Sequence, residues 1–566
     1  MSPTGQSTSH DFDWIVIGSG FGGSTSALRL AEKGYSVAVL ESGSRFEDDE
    51  FAKNTWDLKR YFFAPKAGLR GILRLTFFKH VTIVSGSGVG GGSLGYANTL
   101  YVPPKAFFED PQWAGLADDW QAELAEHYAE AERMLGVVTY DEDDPADQVL
   151  KALGEHLGVQ DTYGKTRVGV FLGEAGKTVQ DPYFGGEGPA RTGCTRCGRC
   201  MVGCPVGAKN TLRKNYLWFA EKLGVKVMAE REVMDIAPIG APDGSEGYQI
   251  TTERSGAWLR KQRKTFTARG VVVAAGALGT NKLLQNCRLA GGLPNISPRL
   301  GELVRTNSES ILTVTLPEGA IGDMTKRVAI TSSIYPDAHT HIETCHFGHD
   351  GGVMSLLYTV LVGDGTRTTR PLKWLAAMAR HPVQAAKTFN PRGWSRNTII
   401  LLVMQTLDNA IALRPVKTRS GRYRLQTEQN DEKPNPTFIP VANQAAAWIA
   451  KEYGGIPQSA VMEALANIPS TAHILGGAVI AGSPETGVVD PRHRLFGYEN
   501  LLVCDGSVIP ANVGVNPSLS ITALAERAMS LVPPAPERGI AEGPSSGHVS
   551  PVQVRRSGAA PEGASA

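Results

Sequence analysis

Gly18-Ser19-Gly20-Phe21-Gly22-Gly23 follows the apolar run Ile15-Val16-Ile17 and opens a stretch with helical periodicity. Asp13 to Gly18 alternates as a strand does, Phe21 to Lys33 carries the helix pattern, and Ser36 to Glu41 reads as a second strand. The chain therefore opens with a βαβ unit. The three glycines have separate tasks in such a unit. Gly18 permits the tight turn, Gly20 lets the backbone approach a pyrophosphate, and Gly23 lets the helix lie close on the sheet. The positive N-terminal end of that helix then faces the phosphates. Glu41 closes the second strand, where a carboxylate accepts hydrogen bonds from ribose hydroxyls. Alone, a G-x-G-x-x-G signal is weak because glycines also mark ordinary turns. The strand before it, the helix after it and the acid at the correct distance make it a dinucleotide site.

A second glycine-rich stretch, Val84-Ser-Gly-Ser-Gly-Val-Gly-Gly-Gly-Ser93, suits passing backbone against a large planar group, which favours FAD over NAD. Two more strand-and-turn blocks follow at Gly270 to Leu284 and at Leu501 to Leu531. They predict an α/β fold whose Rossmann-like FAD-binding domain is assembled from residues 1–105, 205–310 and 465–532. Between them, Pro103 to Lys165 looks helical, whereas Ile311 to Thr369 and Asn397 to Leu425 are β-branched and partly of period two. Residues 106–204 and 311–464 thus form a substrate domain of mixed β-sheet plus helices, with a Cys-rich insertion at 190–216. The tail 533–566 is rich in Pro, Gly, Ser and Ala without apolar periodicity and is expected to be disordered.

With 566 residues and 42% apolar composition, the chain is long enough to bury two or three domain cores. A formal charge of +1 gives no electrostatic case for a nucleic-acid partner, and a small uncharged ligand is expected. No apolar run reaches the ~20 residues a transmembrane segment needs. Met1 to Phe12 lacks the basic start and apolar core of a secretory signal. A cytoplasmic protein is expected, with peripheral membrane association left open.

The chain resembles the glucose-methanol-choline (GMC) oxidoreductases and, within them, the bacterial cholesterol-oxidase-like branch. The resemblance spans nearly all of the chain before the tail. It is strongest in Gly18 to Glu41, in Gly88-Val-Gly-Gly-Gly-Ser-Leu94, and in Val503 to Pro517 followed by Ile521-Thr-Ala-Leu-Ala-Glu-Arg527. It implies that Gly88, Gly91 and Ser93 also contact the cofactor. It further implies that Val233 meets adenine through its backbone, that Gly276 belongs to the second adenosine-side turn, and that Asp505 and Gly506 lie against the ribityl and pyrophosphate. Asn516 and Pro517 then lie by the isoalloxazine. It also implies three catalytic residues: His473 facing flavin and substrate hydroxyl, Asn516 pointing its amide at the ring system, and Glu343 as base for isomerisation. No His stands in the usual N-terminal attachment context, so noncovalent FAD is expected.

Physical chemistry supports these roles independently. Oxidising a secondary alcohol requires hydride transfer to the flavin and loss of the hydroxyl proton, so a polar group near neutral pKa must hold that hydroxyl. His473 suits this. A carboxylate in an apolar pocket has its pKa raised and becomes a competent base for a weakly acidic carbon, as Glu343 would be. The expected substrate is a hydrophobic secondary alcohol such as a 3β-hydroxysteroid, oxidised to the ketone with or without Δ5-to-Δ4 isomerisation. Alternatives are a dehydrogenase for another bulky alcohol and an electron-transfer flavoprotein without substrate chemistry.

Of seven cysteines, Cys194-x-x-Cys197-x-x-Cys200-x-x-x-Cys204-Pro205 has the bacterial ferredoxin spacing. An iron-sulfur cluster is expected, against zinc or a reduced, metal-free turn. One difficulty is that the fourth cysteine of such a run ligates a second cluster in two-cluster ferredoxins, and no second run exists here. With iron, electrons would leave for a quinone or a redox protein; without it, oxygen is the acceptor.

Overall fold

The computed structural model describes residues 10–419, 423–430 and 432–536. Its organising sheet is built on Phe12–Ile17, which pairs in parallel with Val37–Leu40 on one side and with Lys264–Val273 on the other. Lys226–Met228 extends the first side and Leu501–Val503 the second, all in parallel. Near-continuous runs such as Val271-Val272-Val273 are what a parallel sheet covered on both faces demands, and all three are buried. Tyr248–Arg254 and Arg231–Pro238 add an antiparallel wing, with a register shift between Val233 and Asp235.

Helices Phe21–Glu32 and Ser518–Ser530 pack against each other beside the sheet. Trp120–Leu135, which the sequence reading groups with the substrate segments, packs on Ser518–Ser530. Its Leu124, Tyr128 and Leu135 belong to the same core as Ile15 and Val39. A stripe repeating every three to four residues is satisfied by any apolar face, so periodicity alone does not assign a helix to a domain.

A second, antiparallel sheet runs Tyr358–Val360, Ile456–Ala460, Ser310–Thr315, Thr398–Gln405, Thr340–Cys345, Ile330–Asp337 and Gly164–Lys165. Alternation along Thr398–Gln405 divides the core in two. Ile399, Leu401 and Val403 join Pro440–Glu452 and Pro145–Leu157 on one face. Ile400, Leu402 and Met404 face Tyr61, Leu73, Cys345 and Met354 on the other. The neighbouring strand Thr340–Cys345 obeys the same rule: Ile342 lies with the helices, which turns His341, Glu343 and Cys345 toward the second face.

Of the tail 533–566, Ala535 N donates to Lys33 O at 2.8 Å, and 537–566 lie outside the described residues.

Candidate active site

The two glycine loops meet. Gly18 adopts φ +103°, a region L side chains avoid, and an added Cβ would lie 2.2 Å from Ala274 O. A Cβ on Gly22 would lie 1.7 Å from Cys504 O, so the helix start is pressed against the segment that leads to Asp505. On Gly91 it would lie 2.5 Å from Gly20 Cα, whereas on Gly20 itself it would meet nothing within 4 Å and project into open space. Ser19 ties the assembly together. Its N–H and hydroxyl donate to Glu41 Oε2 at 3.1 and 2.7 Å, and its Oγ accepts from Gly90 N at 3.0 Å. Glu41 Oε1 accepts from Gly43 N at 2.7 Å. The carboxylate therefore orients both loops as well as facing the cavity it lines. Ser93 hydroxyl donates to Gly90 O and accepts from Leu212 N.

Two cavities share the rim formed by Gly20, Arg74, Gly92 and Gly276, making one trough. The smaller, about 180 Å³, is lined by Gly18, Glu41 and Val233. The larger, about 320 Å³, is lined by Asp505, Gly506, Asn516, Pro517 and His473. Asp505 is buried and accepts from Gly276 N (2.9 Å), Thr280 hydroxyl (2.5 Å) and Ser507 N (2.8 Å). Burial pushes its pKa up, and these hydrogen bonds oppose the rise. The trough has the glycine floor, the helix N-terminus and the elongated shape that a flavin dinucleotide requires.

The far wall of the larger cavity is apolar, with Tyr61, Met201, Cys345, Phe347, Met354 and Leu402 on it. His473 lines the cavity, and its Nδ1 is hydrogen-bonded to Glu309 Oε1. Glu309 Oε2 accepts from Ala472 N at 2.6 Å. With Glu309 ionised, Nδ1 carries the hydrogen and Nε2 keeps its lone pair. Glu309 escaped the sequence reading; it lies 164 residues from its partner on another element.

Asn516 Nδ2 donates to Glu343 Oε2 at 3.3 Å. Asn516 lines the cavity, while Glu343 is wholly buried one layer behind it. Burial raises the Glu343 pKa to about 8; the Asn516 bond lowers it, and the charge of Glu309 adds to the rise. Glu343 Oε1 and Asn516 Oδ1 have no hydrogen-bond partner among the described residues. His341, edge-on to Tyr101 at 5.1 Å and stacked on Tyr335 at 4.4 Å, is held neutral by burial, its pKa lowered to about 3.

GMC oxidoreductase family models match residues 190–302 and 421–525, and an FAD binding domain model matches 13–49. A cholesterol oxidase from Acinetobacter baumannii is 49% identical over 529 residues, 93% of this chain and 95% of that protein. One from Mycobacterium tuberculosis is 50% identical over 534 residues, 92% of this chain and 91% of that protein. The chain belongs to the GMC oxidoreductases. It is an FAD-dependent oxidoreductase acting on CH–OH donors, of the cholesterol-oxidase branch. Pyridoxine 4-oxidase from Mesorbium loti shares the fold, with a TM-score of 0.57 at 15% identity over 92% of this chain and 98% of that one.

The cysteine run of this GMC enzyme lies beside the cavity, Met201 forming part of the wall. Cys194, Cys197, Cys200 and Cys204 border a space of about 20 Å³, the scale of a single water. Lys209, Val170 and Arg327 close around the same space, and Lys209 Nζ donates to the carbonyls of Leu94, Tyr96 and Cys200. Among the described residues, no three His, Cys, Asp or Glu side chains form a group arranged to hold a metal ion. The expected iron-sulfur cluster on these four cysteines is therefore not supported: spacing brings the sulfurs around one point, but packing fills the room a cluster needs. No described helix is long and apolar enough to cross a membrane.

Proposed function

We propose that this GMC oxidoreductase oxidises the 3β-hydroxyl of a sterol, cholesterol first among them, to the 3-ketone, with oxygen as the electron acceptor. The observation that carries this reading is His473, held by Glu309 on the wall of an apolar cavity continuous with the dinucleotide trough. The sterol assignment draws on the two cholesterol oxidases that match most of the chain.

Gly18, Gly20, Gly23 and the loop of Gly88, Gly91 and Ser93 would cradle the pyrophosphate side of FAD. Glu41 and Val233 would hold the adenosine end, with Gly276, Asp505, Gly506 and Pro517 along the rest. FAD bound there supplies the hydride acceptor. His473 Nε2 accepts the substrate hydroxyl proton as the carbinol hydrogen departs, and Glu309 stabilises the imidazolium so formed. Asn516 fixes the cavity wall beside the ring system through its bond to Glu343. The apolar far wall accepts the sterol rings and displaces water from beside the hydroxyl when the substrate is bound.

For Δ5-to-Δ4 isomerisation, Asn516 stands on the cavity wall with the raised-pKa carboxylate of Glu343 bonded behind it, so Glu343 takes the proton from the ring carbon next to the new ketone, and returns it, once the Asn516 side chain turns aside. No step is routed through the cysteines. The test is peroxide release measured with cholesterol, a stanol lacking the double bond, long-chain primary alcohols and aromatic alcohols. Sterols should be preferred by at least about a hundredfold in kcat/KM. Equal turnover of the primary alcohols would transfer the assignment to a general alcohol oxidase.

A further inference from the structure

The helix Thr369–Arg380 is amphipathic in the inverted sense. Its inward side carries Arg370, fully buried and bonded to Glu463 Oε1 at 2.8 Å, and Trp374, whose Nε1 donates to Thr359 Oγ1 at 2.9 Å. Its outward side carries Leu372 and Leu375, 65% and 55% exposed, with Ala379 four residues further along the same face. Helix Pro382–Thr388 follows after a single residue, and there Val383 and Phe389 are 68% and 53% exposed. Four large apolar side chains thus stand in water on one continuous segment, where a soluble surface helix places polar residues.

Charge on this segment is as one-sided as its polarity. From Gly365 to Asn397 there is no Asp or Glu. Arg367, Lys373, Arg380, Lys387, Arg392 and Arg396 are all exposed, and none forms an ion pair with a carboxylate among the described residues. A concavity of about 300 Å³ is lined by Lys387, Asn390 and Arg392 of this segment together with Leu316, Pro317 and Ile456 from outside it. Its two cations stand at the edge of an otherwise uncharged lining, where a lipid phosphate could meet them.

The segment is also joined to the substrate cavity. Both helices pack on the strand Tyr358–Val360. Trp394 stacks on Tyr358 at 5.8 Å, in the core that includes Met354, Cys345 and Leu402 of the cavity wall. On the turn Gly352–Leu357, Met354 faces the cavity and Leu356 is 54% exposed.

We infer that residues 367–396 form a docking surface for an anionic phospholipid bilayer, with Leu372, Leu375, Val383 and Phe389 entering the headgroup boundary and the six cations meeting lipid phosphates. An acidic protein would satisfy the cations but gives no reason for four separately exposed aliphatic and aromatic tips. A second copy of this chain would place the same cations against each other. A bilayer satisfies both features at once. The surface is a property of these residues and does not depend on which alcohol is oxidised.

The test uses holoenzyme and sterol-free vesicles, so that binding is read without turnover. Wild-type protein should co-sediment with phosphatidylcholine vesicles containing a quarter phosphatidylserine, bind pure phosphatidylcholine at least about tenfold more weakly, and release as salt rises. K373E/R380E/K387E should reduce partitioning at least about tenfold, and L372S/L375S/V383S/F389S should do so at any salt. Both variants should keep wild-type turnover of detergent-dispersed sterol, because none of these residues lines the flavin or substrate cavity. W258S/L259S, at the exposed apolar pair 74% and 93% accessible in a different loop, should bind as wild type does. Wild-type-like partitioning of the two surface variants, loss of binding in W258S/L259S instead, or concentration-dependent dimers that the leucine variant abolishes would each overturn the inference.

Discussion

Glu309→Gln isolates the pairing on which the proposed chemistry turns. Ala472 N–H, 2.6 Å from Oε2, needs an oxygen acceptor, so it fixes the orientation of the new amide with its oxygen toward Ala472 and its NH₂ toward His473 Nδ1. The amide then donates to Nδ1 and forces the ring hydrogen onto Nε2, the nitrogen that must accept the substrate proton. Two losses combine. A hydrogen bond to a charged group contributes about 1.5–3 kcal/mol, or about ten- to hundredfold in rate. A misplaced general base costs about 10²–10⁴-fold. The expected fall in kcat is therefore at least about a hundredfold, with KM little changed. Rapid-mixing measurement of flavin bleaching under anaerobic conditions reads the hydride step directly. Glu309→Asp, which keeps the charge, should recover part of the rate, whereas Gln should not. A Gln variant within about threefold of wild type in the rate of flavin reduction, or an Asp variant no faster than Gln, would refute the positioning of His473 by Glu309.

Glu343→Gln should leave oxidation largely intact and abolish double-bond migration, so that the Δ5-3-ketone accumulates in chromatographed products. Because burial raises the Glu343 pKa to about 8, the carboxyl is mostly protonated at neutral pH and its ionised, basic form grows as pH increases through that value. Isomerisation should accordingly rise from pH 7 to 9 while oxidation does not follow the same curve. Gly22→Ala puts a methyl 1.7 Å from Cys504 O and should cost about 3 kcal/mol or more, read as a lower Tm and FAD lost on gel filtration. Arg370→Ala strands the buried Glu463 and should destabilise the fold by about 3–5 kcal/mol, measurable by denaturant unfolding. Replacing Cys197 by Ser should leave the rate of flavin reduction by sterol within about threefold, since the proposed proton and hydride transfers involve His473 and the flavin and not the cysteine run.

What the sequence revealed of the fold lies where neighbours along the chain are neighbours in space. The glycine turn, the helix it starts and Glu41 after the next strand are covalently close, so their spacing carries the geometry. Val271 to Gly279 and Val503 to Pro517 could be placed because apolar runs ending in glycine or Asp-Gly turns have few alternatives in a parallel sheet. His473 and Asn516 came from resemblance, since a single histidine or asparagine has no spacing signal of its own. Glu309 was hidden for the opposite reason: its meaning comes only from a partner on another element. The role of Ser19 in joining both loops and Glu41 has the same origin. At the cysteines the spacing says nothing of volume, because the way Lys209 and Val170 close around the same space is a tertiary fact. Nothing along the chain signals that in the helix Thr369–Arg380 it is Arg370 and Trp374, and not Leu372 and Leu375, that face inward.

Anaerobic titration of the purified yellow protein with cholesterol tests the central claim most directly. One equivalent of sterol per bound FAD should bleach the flavin absorbance and yield one equivalent of 3-ketone, and admission of air should restore the colour with release of peroxide. A flavin that stays oxidised through an excess of sterol, in protein shown to contain stoichiometric FAD, would contradict the account.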